Sequence, residues 1–186
     1  MNSKRKGNSY ERDISKKLSK WITGSEDDLI VWRTSGSGSV STIAKKKGKS
    51  AKALDGDFQY LGENQKEREI FNIFFFDSKC LGDVHLMAIN PKNQKSNQLF
   101  NEWKKVFEDA STSNKIPVMF VKATNDRKIS EFIIIPESMW CQSLNHMWYT
   151  VQFQQEVYKF KLILQDEFFI LNEWKSLISQ NSFLAK

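Results

Sequence analysis

Cysteine, histidine and long apolar runs are all scarce in this 186-residue chain, and each shortage removes a class of protein. Its two cysteines, Cys80 and Cys141, cannot build a disulfide framework and are too far apart for a zinc knuckle. Cys80 with His85 lacks the two further partners of a zinc site, and a lone His146 is more often a structural or surface residue, so no zinc is expected. No stretch approaches the twenty or so apolar residues that cross a bilayer, and Met1 to Gly7 has no hydrophobic segment after its charges. Neither membrane insertion nor secretion is expected, and the setting implied is reducing and cytoplasmic. Disorder is excluded by what is present: 40% hydrophobic residues, with fourteen Phe and six Trp. The length fits one domain with a sizeable core.

Acidic residues are the shortage that carries most information. Met1 to Lys52 holds thirteen Lys and Arg against five Asp and Glu, net +8, whereas Ala53 to Lys186 holds fifteen against seventeen, net −2. The N-terminal basic field attracts a polyanion; nucleic acid is the usual one, and an acidic protein or membrane surface would also answer.

Tyr10, Ile14, Leu18, Trp21 and Ile22 recur at helical spacing, so a helix is predicted over Tyr10 to Ile22, capped by Asn8 or Ser9 and ended by Gly24. Leu29 to Arg33 and Phe58 to Leu61 read as short strands. Between them lie Ser35 to Ser39, too rich in Gly and Ser for regular structure, and the lysine loop Thr42 to Lys52. The apolar run Ile70 to Phe76 predicts a strand buried on both faces, and Leu81 to Ile89 a further strand or an irregular connection. A helix over Asn97 to Ala110 and strands over Pro117 to Lys122 and Glu131 to Ile135 follow. This order predicts an α/β fold, a mixed central sheet flanked by helices. Tyr149 to Phe153 and Tyr158 to Leu164 would then form a hairpin, and Leu171 to Ser179 a closing helix. The tryptophans are expected mostly at core positions.

Two acids stand at predicted strand ends, Asp57 before Phe58 and Asp77 after the Phe run. Lys79 follows Asp77 by two residues, so both side chains leave one face of a strand. Hard carboxylate oxygens beside a lysine suit Mg²⁺, which is held through one or two carboxylates plus substrate phosphate. An acid at a strand end is also an ordinary turn residue, and Lys79 could be a solvated strand residue. Glu11 reads equally as a site acid or as a surface acid on the first helix. Arg5, Lys6, Arg33 and the lysines Lys45, Lys46, Lys47 and Lys49 are candidate phosphate contacts because they are segregated from acids. Ser35 and Ser37 lie between them, where small residues admit phosphate to the backbone. Gln98 could reach the site or simply open its helix.

Lys6 to Asp13, Arg33 to Ser39, Gly56-Asp57 and Phe75-Phe76-Asp77-Ser78-Lys79 resemble, in order and spacing, the PD-(D/E)xK nuclease superfamily, most of all its archaeal and phage Holliday-junction-resolvase-like branch. Leu99 to Trp103 with Ala110, and Lys115 to Lys122, resemble that branch's second helix and following strand. The likeness runs from Lys4 to about Pro136. It implies a restriction-endonuclease-like core over residues 1–136, with residues 137–186 as an extension packed on it. It also implies Glu11, Asp57 and Asp77 as metal ligands and Lys79 as the residue positioning the attacking water. Asp77 replaces the more frequent Glu, and the lysine loop lengthens the connection before Asp57.

The expected activity is a Mg²⁺- or Mn²⁺-dependent DNA endonuclease, with Ca²⁺ binding but not supporting turnover. Branched DNA and a homodimer follow from the resemblance alone. A restriction-type or nicking enzyme, and a non-catalytic DNA-binding module with a decayed site, are the rivals.

Overall fold

The computed structural model describes residues 3–34, 56–82, 84, 98–124, 131–153 and 155–185. The elements in chain order are α1 (Ser3–Thr23), β1 (Val31–Arg33), β2 (Phe58–Tyr60), α2 (Gln65–Ile73), β3 (Phe74–Leu81) and α3 (Gln98–Thr112). They continue with β4 (Ile116–Ala123), β5 (Glu131–Pro136), β6 (His146–Phe153), β7 (Glu156–Leu164), α4 (Gln165–Leu171) and α5 (Trp174–Asn181), ending in a 3₁₀ turn over Ser182–Ala185. The mixed sheet flanked by helices is present as the order of elements implied.

The main sheet runs β3-β4-β5-β7-β6, and β1 pairs with β2 in a separate ribbon. Only β3 and β4 are parallel, Asp77 facing Met119 and Lys79 facing Val121. A parallel neighbour needs a long crossover, and α3 lies within it. Both faces of β4 and β5 are buried over most of their length, which is why these central strands are apolar except for Lys122 and Glu131 at one end. Phe74, Phe76, Val118, Phe120, Ile133 and Ile135 enter one core with α1, α2 and the ribbon. Phe75, Met119, Val121, Phe132 and Ile134 enter the other with α3. The hairpin of β6 and β7 extends the same sheet beyond β5.

Several sequence expectations need correction. The first helix starts at Ser3, so neither Asn8 nor Ser9 caps it; Gly24 does end it, at φ +76° with its N–H donating to the Lys20 carbonyl at 2.7 Å. The run Ile70 to Phe76 is not one strand. Ile70, Phe71 and Ile73 are the buried face of α2, and β3 begins at Phe74. The signal for that helix was present in Asn64, whose side chain accepts from Lys66 N–H at 3.1 Å and donates to Glu67 at 2.8 Å. Asp77 consequently lies inside β3 and not at its end. The closing helix expected over Leu171 to Ser179 is present as α5 from Trp174, and a separate helix, α4, precedes it; the break falls at Asn172, whose side chain donates to the Gln142 carbonyl and accepts from Gln142 N–H. Trp103 is a core residue, but Trp32, Trp140 and Trp148 are exposed.

The C-terminal helices are bolted to α1 by polar contacts. Tyr10 donates to Gln165 Oε1 at 2.8 Å, Trp21 to the Asn172 carbonyl at 2.6 Å, and Trp174 to the Ile22 carbonyl at 3.0 Å. Among the described residues no helix is long and apolar enough to cross a membrane.

Candidate active site

β3 is an edge strand, and its free edge receives the turn that carries Asp57. Gly56 makes this approach possible: it sits at φ +77°, and a Cβ there would stand 2.1 Å from the Phe76 carbonyl oxygen. Only glycine tolerates both conditions. The backbone of Asp57 is tied on two sides, its N–H donating to the Phe76 carbonyl at 3.0 Å and its carbonyl accepting from Thr34 N–H at 2.8 Å. Its carboxylate then accepts from the Ser78 N–H at 3.0 Å and the Ser78 hydroxyl at 3.3 Å.

Asp77 and Lys79 share the face of β3 that carries Phe75 and Leu81, the side covered by α3. They form an ion pair that is largely buried. Asp77 Oδ1 is fully buried and lacks a hydrogen bond of good geometry, so its contact with Lys79 is ionic. Burial pushes the Asp77 carboxyl up to about 7 against the pull of Lys79, and the charge of Asp57 adds to the rise. For Lys79, burial opposes the charged form, but Asp77 and Asp57 outweigh it and hold the ammonium above the usual lysine range. Lys79 is therefore a cation and hydrogen-bond donor at neutral pH.

Glu11 approaches from α1, on the opposite face of the sheet. It pairs with Arg33 Nε at 2.8 Å, and Arg33 also donates to Asn8 Oδ1 at 3.2 Å. Burial, then the negative charge of Asp57, raise the Glu11 carboxyl above its ordinary value, with Arg33 opposing. Asp57 is thus the charge that both other acids feel. A fourth acid, Glu102 on α3, contributes to the fields at both Asp77 and Lys79. It also pairs with Lys105 on its own helix at 2.9 Å. Only the placement of α3 beside β3 gives it a second meaning.

Among the described residues no group of three or more His, Cys, Asp or Glu could hold a metal ion, so Glu11 is not gathered with the two aspartates into one cluster. The donor chemistry nonetheless fits a hard divalent cation. Two carboxylates, Asp57 and Asp77, flank one strand edge, and a buried carboxylate oxygen there lacks an oriented donor. Mg²⁺ is held through one or two carboxylates, with water or phosphate completing its shell.

Arg5 and Lys6 lie in the opening turns of α1. Ser35, Ser37, Lys45, Lys46, Lys47, Lys49 and His85 lie outside the described residues. Gln98 is the exposed first residue of α3, and His146 is exposed on β6, at the far edge of the sheet from β3. Cys80 and Cys141 are free.

Residues 2–184 match the protein family described as "Phage putative PDDEXK endonuclease". The chain belongs to this family. Asp57, Asp77 and Lys79, on which the resemblance to the PD-(D/E)xK superfamily rests, all lie within the matched residues. Comparisons with curated proteins and with solved structures gave no match.

Proposed function

We propose that this PDDEXK protein is a divalent-metal-dependent endodeoxyribonuclease. The observation that carries the reading is the gathering of Asp57, Asp77 and Lys79 about β3, which among the described residues is the edge strand of the main sheet. Asp57 and Asp77 would hold Mg²⁺ or Mn²⁺, which when bound neutralises charge on the phosphoryl oxygens and lowers the pKa of bound water.

The remaining chemistry belongs to the chain's own groups. Ser78 N–H and Oγ orient the Asp57 carboxylate. Lys79, cationic at neutral pH, donates a hydrogen bond to the attacking water and balances charge that builds on the phosphorane. It does not act as a base. Arg33 holds Glu11, which adds negative field on the α1 side. The water oxygen gives up a proton to solvent as it bonds to phosphorus, the bond from phosphorus to one ribose oxygen breaks, and that oxygen takes up a proton from solvent, leaving a strand end bearing phosphate beside one bearing hydroxyl.

One site serves each chain, so cutting both strands of a duplex or junction requires two chains, and we assign a homodimer to the active form. Branched DNA is the proposed substrate. Cleavage of a four-way junction, a flap, a plain duplex and a single strand would be measured in Mg²⁺, Mn²⁺, Ca²⁺ and EDTA, with Asp57→Asn beside wild type. The reading expects metal-dependent cutting that the variant loses, fastest on a branched strand. DNA binding that persists in EDTA, with no cleavage in any ion, would replace it with a non-catalytic binding module. A plain duplex cut faster than the branched forms would make it a restriction-type enzyme.

A further inference from the structure

The ribbon of β1 and β2 has one buried face and one open face. Val31, Phe58 and Tyr60 are buried, while the cross-strand pair Trp32 and Gln59 points to solvent. Trp32 is 47% exposed, so part of its ring faces solvent. Its indole Nε1–H already donates to the Leu29 carbonyl at 3.0 Å. That bond fixes the ring and satisfies its one polar atom, so what remains on offer is a flat π face with no hydrogen-bonding demand.

Trp148 provides the contrast. It is 53% exposed, but the Lys161 ammonium stands over its ring at 5.0 Å and the His146 ring meets it edge-on at 5.0 Å. Trp148 is also on β6, the opposite edge of the sheet from the candidate site.

Trp32 is close to that site by covalent and hydrogen-bonded connection. Two residues on, Thr34 N–H binds the Asp57 carbonyl. Two residues of extended chain span about 7 Å, a separation that an indole and a nucleotide bridge together. Between them Arg33 turns to the buried side to reach Glu11. The ribbon thus alternates a charge for the site with an aromatic face for whatever flanks it.

We propose that Trp32 stacks on a nucleobase next to the phosphate held at Asp57, and that this base is unpaired. The proposal rests on the nuclease reading above and adds to it a contact that reads the base and not the backbone. Stacking is tolerant of base identity, since every base has a π face, so Trp32 selects for an unpaired nucleotide and not for a sequence. An opened strand near a branch or an end supplies such a base; an undisturbed duplex does not.

The test is binding in Ca²⁺ of two labelled single strands of equal length, one with bases and one fully abasic. Wild type should prefer the strand with bases by about tenfold, the scale of one aromatic stacking contact. Trp32→Ala should lose that preference, Trp32→Phe should keep most of it, and Trp148→Ala should match wild type. If Trp32→Ala does not fold, Trp32→Gln, which repeats the side chain of the cross-strand neighbour, takes its place. A folded Trp32→Ala or Trp32→Gln that keeps the full preference overturns the proposal, as does a wild type that binds both strands equally. A wild type that binds neither strand also overturns the proposal, whereas the nuclease reading stands or falls separately on metal-dependent cleavage of the DNA panel above.

Discussion

Glu131 and Asp77 are carboxylates built into the same sheet, and their surroundings are opposite. Glu131 receives Lys17 at 3.0 Å, Lys122 at 2.7 Å and Gln165 Nε2 at 2.9 Å. Its burial would raise the carboxyl, but Lys122 and Lys17 outweigh that and hold it below the ordinary glutamate value. Asp77 is buried more deeply, has Lys79 as its ionic partner, and is pushed up to about 7. A carboxylate provided with donors on every side contributes to the fold and has nothing left to offer a ligand. One left short of donors in a buried place costs stability, and a divalent cation is what relieves it. The contrast separates a structural acid from a site acid without reference to any relative.

The sharpest way to break this comparison is activity. Asp77→Asn and Asp57→Asn are each expected to lower cleavage on the order of a thousandfold, while Glu131→Gln leaves it within a few-fold of wild type. Steady-state assays on one DNA substrate decide it, and equal losses in all three variants would erase the distinction. Next in size is Gly56→Ala. A left-handed non-glycine residue costs about 1 to 2 kcal/mol, and the Cβ would also drive the turn off the Phe76 carbonyl. Both the melting temperature and cleavage should fall, because Asp57 moves with the turn.

Stability offers a finer test. Asn172 and Asn181 each clasp the segment after Met139, Asn172 at Gln142 and Asn181 at Trp140, with backbone N–H bonds of 2.8 and 2.7 Å. Asn172→Ala leaves the part-buried Gln142 N–H and carbonyl without their partner and should cost about 1 to 2 kcal/mol, read by urea denaturation. In metal-free protein Asp77→Asn removes one buried charge but leaves the Lys79 ammonium without its ion-pair partner, so a further loss of stability is expected. A further test is pH dependence, where the two acids have opposite signs. The native Asp77 carboxyl binds its proton more tightly than in the unfolded chain, so this group favours folding at low pH and its contribution is lost as pH rises toward about 7. Native Glu131 releases its proton more readily than when unfolded, so its contribution is present above the usual glutamate pKa and lost as pH falls below it. Melting of metal-free wild type and Asp77→Asn between pH 4 and 8 should show a slope in the first that the second lacks.

Much of this was legible in sequence where one period ruled a whole segment. The spacing of Tyr10, Ile14 and Leu18 gave α1, and that of Leu99, Trp103 and Val106 gave α3, because each stripe meets a single core. The run Ile70 to Phe76 misled because a helix end and a strand start are both buried there, and an unbroken apolar run has no period to read. The tryptophans misled because size was taken for burial. Asp57, Asp77 and Lys79 could be singled out by residue type and spacing, but the pairing of Glu11 with Arg33 and the field of Glu102 depend on how α1 and α3 lie against β3, which no local pattern encodes.

The peptide of Asp57 is bonded at its carbonyl to the ribbon and at its N–H to β3. The ribbon and the strand edge therefore behave as one lever with the carboxylate at its fulcrum. Any load that a bound molecule places on Trp32 reaches Asp57 through Thr34 without passing through a hinge. If Trp32 stacks as proposed, grip on the flanking nucleotide and the aim of the acid are coupled through these two backbone hydrogen bonds.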